Sequence, residues 1–223
     1  FHPVVVTCAG DAPVGQYKDS FDVHWTQVYG ATSFVASRIP RHRALMKPDW
    51  PLAAILHCYD RAQSGAEEFD PEKFQPDGRT MRSNAFMAIA KGSSCLSWWW
   101  WGQGGTTTAT IARAPRAWAD LKLVFADIQS LEPALIADGT VEMWVESPGE
   151  GKEVHVWEKR LADRALIIAV NRDPEPCELT ITLKQTAGTK TARRLLEEGA
   201  AQIVDGKLQE SFGPLGVHVY EVR

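Results

Sequence analysis

Several features are scarce in this chain, and each scarcity removes a class of protein. No apolar run approaches the roughly 18 to 20 residues of a membrane-spanning helix, so no membrane span is read from it. Cysteine occurs only at positions 8, 58, 95 and 177 and never as CxxC. That spacing argues against a zinc or dithiol motif and favours free thiols in the core. The six histidines (His2, His24, His42, His57, His155 and His218) also lack a ligand pattern, and no metal or other cofactor is expected. Neither GxGxxG nor GxxxxGK[ST] is present, and Gly102-Gln-Gly-Gly105 has the wrong spacing to cradle phosphate. Basic charge is not in excess: 24 Lys and Arg stand against 28 Asp and Glu, without a basic stripe, which argues against a nucleic-acid partner. The chain opens on Phe1 rather than methionine, which reads as processing or a missing beginning.

Aromatic residues are abundant in one place. Trp98, Trp99, Trp100 and Trp101 are consecutive, and in an extended strand they alternate between two faces. Such a run suits a central parallel strand covered on both sides. A helix is predicted just upstream over 79–92, with Met81, Ala85, Ala88 and Ile89 at helical spacing and Gly92 as its C-cap. Earlier, 2–10 and 19–30 read as strands, 32–46 as a helix interrupted at Pro40, and 52–60 as a mostly apolar strand turning polar at its end. The polar segment 61–78 is longer than ordinary connections, which suggests a functional or mobile loop. The clearest helix follows Pro115, with Trp118, Leu121, Phe125 and Ile128 forming its apolar stripe and its end expected near 131–133.

The pattern changes near Asp138-Gly139. Six short strands are predicted, at 141–145, 154–159, 165–171, 177–183, 191–196 and 216–222, separated by turn residues. The chain therefore divides into an α/β region over 1–137 and an all-β region over 138–223, the latter expected to be an antiparallel β-sandwich. With polar residues gathered at the C-terminal ends of its strands, the first region reads as parallel α/β, either an open doubly wound sheet or part of a (β/α) barrel.

The segments 22–29 (DVHWTQVY), 52–59 (LAAILHCY) and 82–92 (RSNAFMAIAKG), together with the tryptophan strand and His2-Pro-Val4, resemble the second half of TIM-barrel glycoside hydrolases. The group most resembled is the broad set related to clan A, including β-galactosidase-like and uncharacterised bacterial members. The resemblance implies the C-terminal half of a (β/α)8 barrel, strands five to eight, followed by the sandwich. It also implies a carbohydrate substrate and a missing N-terminal barrel half, or a complementing chain, that carries the acid/base carboxyl.

Glycosidases of this kind use two carboxyl groups. The resemblance puts the nucleophile at the end of strand seven, where this chain has His57-Cys-Tyr-Asp60. Asp60 is therefore the candidate catalytic residue, with Glu67 or Glu68 as alternatives from the following loop. Gln27 stands where many relatives carry an aspartate. A pyranose offers an apolar face and a rim of hydroxyls, so it calls for an aromatic platform flanked by hydrogen-bonding groups. Trp100 or Trp101 with Tyr29, Tyr59, His57 and Gln103 would supply both, while two or three of the tryptophans are expected to pack in the core. Asp11 and Tyr17 are further candidates for the mouth of the site. A non-catalytic carbohydrate-binding or scaffold protein on a degenerate barrel is the alternative reading.

Overall fold

The computed structural model describes residues 4–8, 10, 14, 16, 21–47, 50–64, 68–99, 109–184 and 191–223. The chain divides into two compact units, Phe1–Val124 and Phe125–Arg223.

In the first unit, β1 (Val5–Cys8), β2 (Val23–Val28), β3 (Leu52–His57) and β4 (Cys95–Trp99) form a four-stranded sheet in sequence order. Every pairing in it is parallel. Two helices serve as crossovers: α1 (Thr32–Ala44) joins β2 to β3, and α2 (Gly78–Ala90) joins β3 to β4. The second begins where Asp77 accepts a hydrogen bond from the N–H of Thr80, 2.8 Å, an N-cap that satisfies an otherwise orphaned donor. It ends before Gly92, whose φ of +86° is easy for glycine alone. Although α1 was expected to break at Pro40, it runs through that residue; the ring removes one intrahelical donor without ending the turn.

Register divides the sheet into two faces. His24, Thr26 and Val28 of β2 share a face with Ala54 and Leu56 of β3, and all are buried. This is the helix side, since His24 touches His42 of α1. On the other face Ala53 and Ile55 are buried in the middle, but the flanks are open: Val5 is 47% exposed and Trp99 50%, and Thr7 and Cys95 are exposed too. The tryptophan strand is thus not the covered central strand that was expected. Among the described residues β4 pairs only with β3 and lies at the sheet edge, and β3 takes the buried place. Trp98 and Trp99 do point to opposite faces, as alternation requires. Cys8, Cys58 and Cys177 are buried and form no disulfide among the described residues, while Cys95 departs from the expected core position because it lies on the open face.

The helix α3 (Pro115–Ile136) continues through Pro133, past its expected end. Its buried positions are Ala117, Leu121, Val124 and Leu131, so the stripe is offset from the predicted one and leaves Phe125 45% exposed.

The second unit is antiparallel throughout. It comprises β5 (Thr140–Gly149), β6 (Lys152–Arg160), β7 (Ala165–Asn171), β8 (Cys177–Thr182), β9 (Thr191–Arg194), β10 (Ala200–Val204), β11 (Lys207–Phe212) and β12 (Val217–Val222). These form one eight-stranded sheet, ordered β5-β6-β7-β12-β9-β10-β11-β8. The hairpin of β10 and β11 was not anticipated. Its signal was Asp205-Gly206, both at positive φ (50° and 71°), the dipeptide that two-residue hairpins favour. The sheet curls until its ends approach: Glu146 of β5 accepts from the N–H of Thr182 at the end of β8, 3.2 Å. The nearly barrel-shaped result encloses a core that includes Val156, Ile167, Ile181, Leu208, Phe212 and Tyr220.

Candidate functional site

Parallel strands deliver their C-terminal ends, and the loops that follow, to one edge of a sheet. At that edge a cleft of about 340 Å³ opens between β2 and β3. Tyr29, Gly30 and Ala31 line it from the turn after β2. His57 closes β3, and Tyr59, Asp60, Arg61 and Ala62 continue from it; Gln75, Pro76 and Thr80 come from the approach to α2 and its first turn. The volume falls within the usual range for small-molecule sites.

Three rings form the wall. Tyr29 and His57 have centroids 6.4 Å apart, Tyr29 and Tyr59 6.1 Å, and His57 and Tyr59 5.9 Å, each pair edge to face. That geometry suits the ring quadrupoles and fixes the three side chains against one another. Burial raises the Tyr29 hydroxyl to about 12, with Tyr59 and Cys58 adding to the effect, so it is a neutral donor near pH 7. Burial also lowers the His57 imidazole, and the positive charge of Arg61 lowers it further against the opposing effect of Asp60. Its Nδ1 is buried and has no hydrogen-bond partner among the described residues.

Asp60 is 1% exposed, and all its capacity is directed at the loop. Oδ1 accepts from the N–H groups of Ala62 (2.9 Å) and Gln63 (3.1 Å), and Oδ2 from Gln63 Nε2 (2.7 Å) and the N–H of Gln75 (2.9 Å). The amide of Gln63 carries the order onward to the backbone of Asp70 in both directions, 3.0 and 2.8 Å. Far from being loose, the described parts of the connection expected to be functional or mobile are tied to one carboxylate. The opposite side of the cleft is anchored from α2, where Asn84 donates to the carbonyl of Gly30 (3.1 Å) and accepts from the hydroxyl of Thr32 (2.8 Å).

The residues expected to form the site are thus partly assembled. Tyr29, His57, Tyr59 and Asp60 meet in the cleft. Gln27 does not line it; it is half-buried on the open face of β2, two residues before Tyr29. Trp100, Trp101 and Gln103 lie outside the described residues, as do Asp11, Tyr17 and Glu67, while Glu68 is exposed. Arg82 lies over the ring of Phe86, 5.2 Å from its centroid. Sequence reasoning missed Arg61, Gln63, Gln75, Thr80 and Asn84. Of these only Asn84 carried a signal, as a polar residue within the apolar run of its helix.

No family model matches the chain, and no curated protein matches it. Solved structures do. An α-amylase from Anoxybacillus aligns over 98% of this chain and 51% of its own, with a TM-score of 0.62 and 12% identity. A glycoside hydrolase aligns over 99% and 57%, with a TM-score of 0.59 and 14% identity. AmyP, solved in complex with maltose, aligns over 95% and 60%, with a TM-score of 0.57 and 13% identity. The chain spans about half the length of these structures, and at such identities the likeness is one of fold: this chain has the fold of part of a glycosidase.

Proposed function

We propose that the chain is the C-terminal half of a glycoside hydrolase barrel, strands five to eight, followed by a β-sandwich formed by the curled antiparallel sheet. In this reading β1 to β4 are the last four barrel strands, and the open face of the sheet is the barrel interior. Its catalytic partner segment, an N-terminal half or a complementing chain, supplies the acid/base carboxyl. The clan A relationship and the division near residue 137 belong to the same proposal. The observation that carries it is the cleft of Tyr29, His57 and Tyr59 at the C-terminal ends of two adjacent parallel strands, where barrel enzymes hold their substrates. The rings offer apolar edges and neutral donors to a pyranose, and Trp100, Trp101 and Gln103 would extend that surface.

The environment of Asp60 favours a binding role for this cleft. A carboxylate whose oxygens already accept four hydrogen bonds in a buried setting would have to release them before attacking a sugar or taking up a proton. Asp60 therefore acts as the organiser of the loop bearing Arg61, and non-catalytic carbohydrate binding is the second reading.

Paired assays separate the two: affinity for neutral and acidic oligosaccharides, maltotriose among them, and release of reducing sugar from them. Binding with turnover supports the hydrolase, and binding without turnover supports the degenerate barrel. Absence of both, with Tyr59→Ala indistinguishable from the parent, sinks the carbohydrate reading.

A further inference from the structure

The charges that line the cleft are unequally placed. Among the described lining residues Asp60 is the one carboxylate and Arg61 the one guanidinium, and they are adjacent in sequence. They are not paired. Both oxygens of Asp60 are occupied by N–H groups of the loop, in a setting closed to solvent. Arg61 is exposed, and among the described residues its guanidinium has neither an ion pair nor a hydrogen bond. Its charge reaches the wall of the cleft, since it helps to hold the His57 imidazole below its ordinary range after burial has done most of that work. Among the described residues the site therefore combines a guanidinium whose donors are unused, a carboxylate whose acceptors are all taken although its charge still opposes that of Arg61 at His57, an unpartnered imidazole nitrogen and apolar ring edges. A neutral sugar would offer the guanidinium single, uncharged hydroxyl acceptors, whereas a planar carboxylate matches its fork in a charge-assisted bidentate pair.

We propose that this cleft takes a carbohydrate bearing a carboxylate, a uronic acid residue, with Arg61 pairing to the carboxylate while Tyr29, His57 and Tyr59 hold the sugar ring. This rests on the carbohydrate reading above and narrows it from neutral to acidic sugars. A charge-assisted pair is worth about tenfold or more in affinity, and its strength falls with added salt because Arg61 is exposed.

The test uses the full chain, titrated calorimetrically with trigalacturonate, with maltotriose as the neutral probe and with a sulfated oligosaccharide of similar length. The expected result is at least about tenfold tighter binding of the uronate than of maltotriose. Arg61→Gln should remove that preference, while Arg61→Lys, which keeps the charge but not the fork, should retain part of it. In a parallel titration followed by NMR, trigalacturonate should raise the pKa of His57 by offsetting the guanidinium, and maltotriose should not. Equal affinity for the uronate and maltotriose, unchanged in Arg61→Gln, overturns the inference and leaves the carbohydrate reading standing. Sulfated and carboxylated sugars binding equally overturns the carboxylate assignment. If none of the three oligosaccharides binds, both the inference and the reading beneath it fall. Arg61 is exposed, so its replacement should leave the fold intact, as a circular dichroism melt would verify.

Discussion

In the antiparallel unit the sheet curls until Glu146 reaches the N–H of Thr182, and the side chains of β6 to β12 meet in an enclosed core. In the parallel unit the sheet ends, among the described residues, at β1 and β4, and one of its faces carries Val5, Cys95 and Trp99 exposed. Parallel sheets are ordinarily covered on both faces, and edge strands left open invite pairing with another chain. The difference teaches that the two units meet the same requirement unequally: the second encloses its own core, and the first leaves part of one face open.

Substitution in the two places should give unequal losses. Phe212 is fully buried in the antiparallel core, so Phe212→Ala should cost about 3–5 kcal/mol. Trp99→Ala, at the open edge, should cost well under half of that despite removing a larger ring. Urea midpoints of the two variants measure the contrast, and equal losses would mean that the open face is covered after all.

Acid should separate the units next. Burial lowers His24 to about 4 and the charge of the neighbouring His42 lowers it further; the backbone of Val6, as an acceptor, opposes them, and the charges of Arg38 and Arg43 add smaller decreases. The two imidazoles lie 2.7 Å apart, with no solvent exposure. A base whose folded pKa lies below its unfolded value of about 6.5 binds protons more readily when unfolded. Stability of the parallel unit should therefore be complete above pH 6.5 and fall by up to roughly 3 kcal/mol as pH drops to about 4. His24→Phe should flatten that slope in urea titrations at pH 7 and pH 4.5.

The antiparallel unit should respond later. Burial pushes the Glu210 carboxyl up, but hydrogen bonds from Tyr220 (2.5 Å) and Arg194 (2.6 Å) outweigh it and bring it below its ordinary value. A depressed carboxyl contributes stability above its unfolded value of about 4.5 that is lost as pH falls through the folded one. At pH 5 the parallel unit should thus already be weakened while the other is not, and Glu210→Gln should remove roughly 2 kcal/mol from the antiparallel unit at pH 7.

How much of this was legible follows from where the information resides. Strands β1 to β3 and the helices around them could be read because their apolar periodicity is local, and six of the eight antiparallel strands for the same reason. The hairpin at Asp205-Gly206 was legible too and was overlooked. The edge position of β4 was not, because four tryptophans specify alternation but say nothing about how many neighbours a strand has. In the cleft, Tyr29, His57 and Tyr59 could be inferred from their places after apolar strands. The role of Asp60 could not, since the four donors that occupy it come from residues 62, 63 and 75, and their convergence depends on the path of the loop. Arg61 was invisible for the same reason: only the path of the loop shows that the oxygens of Asp60 are taken by other donors.

The smallest effect concerns thiols. Cys95 is exposed on the open face, whereas Cys8, Cys58 and Cys177 are buried, and burial raises the pKa of Cys8 and Cys177. A thiol reagent should modify one site rapidly and three slowly, without loss of stability, and mass spectrometry of the labelled peptides would identify the fast one. Protection of Cys95 in the native protein would indicate a covered face.

Sedimentation velocity of the 223-residue chain over a range of concentrations tests the half-barrel proposal most directly. The open face, and edges that are unpaired among the described residues, predict association that increases with concentration. A monodisperse monomer at every concentration would contradict the half-barrel and require a different account of β1 to β4.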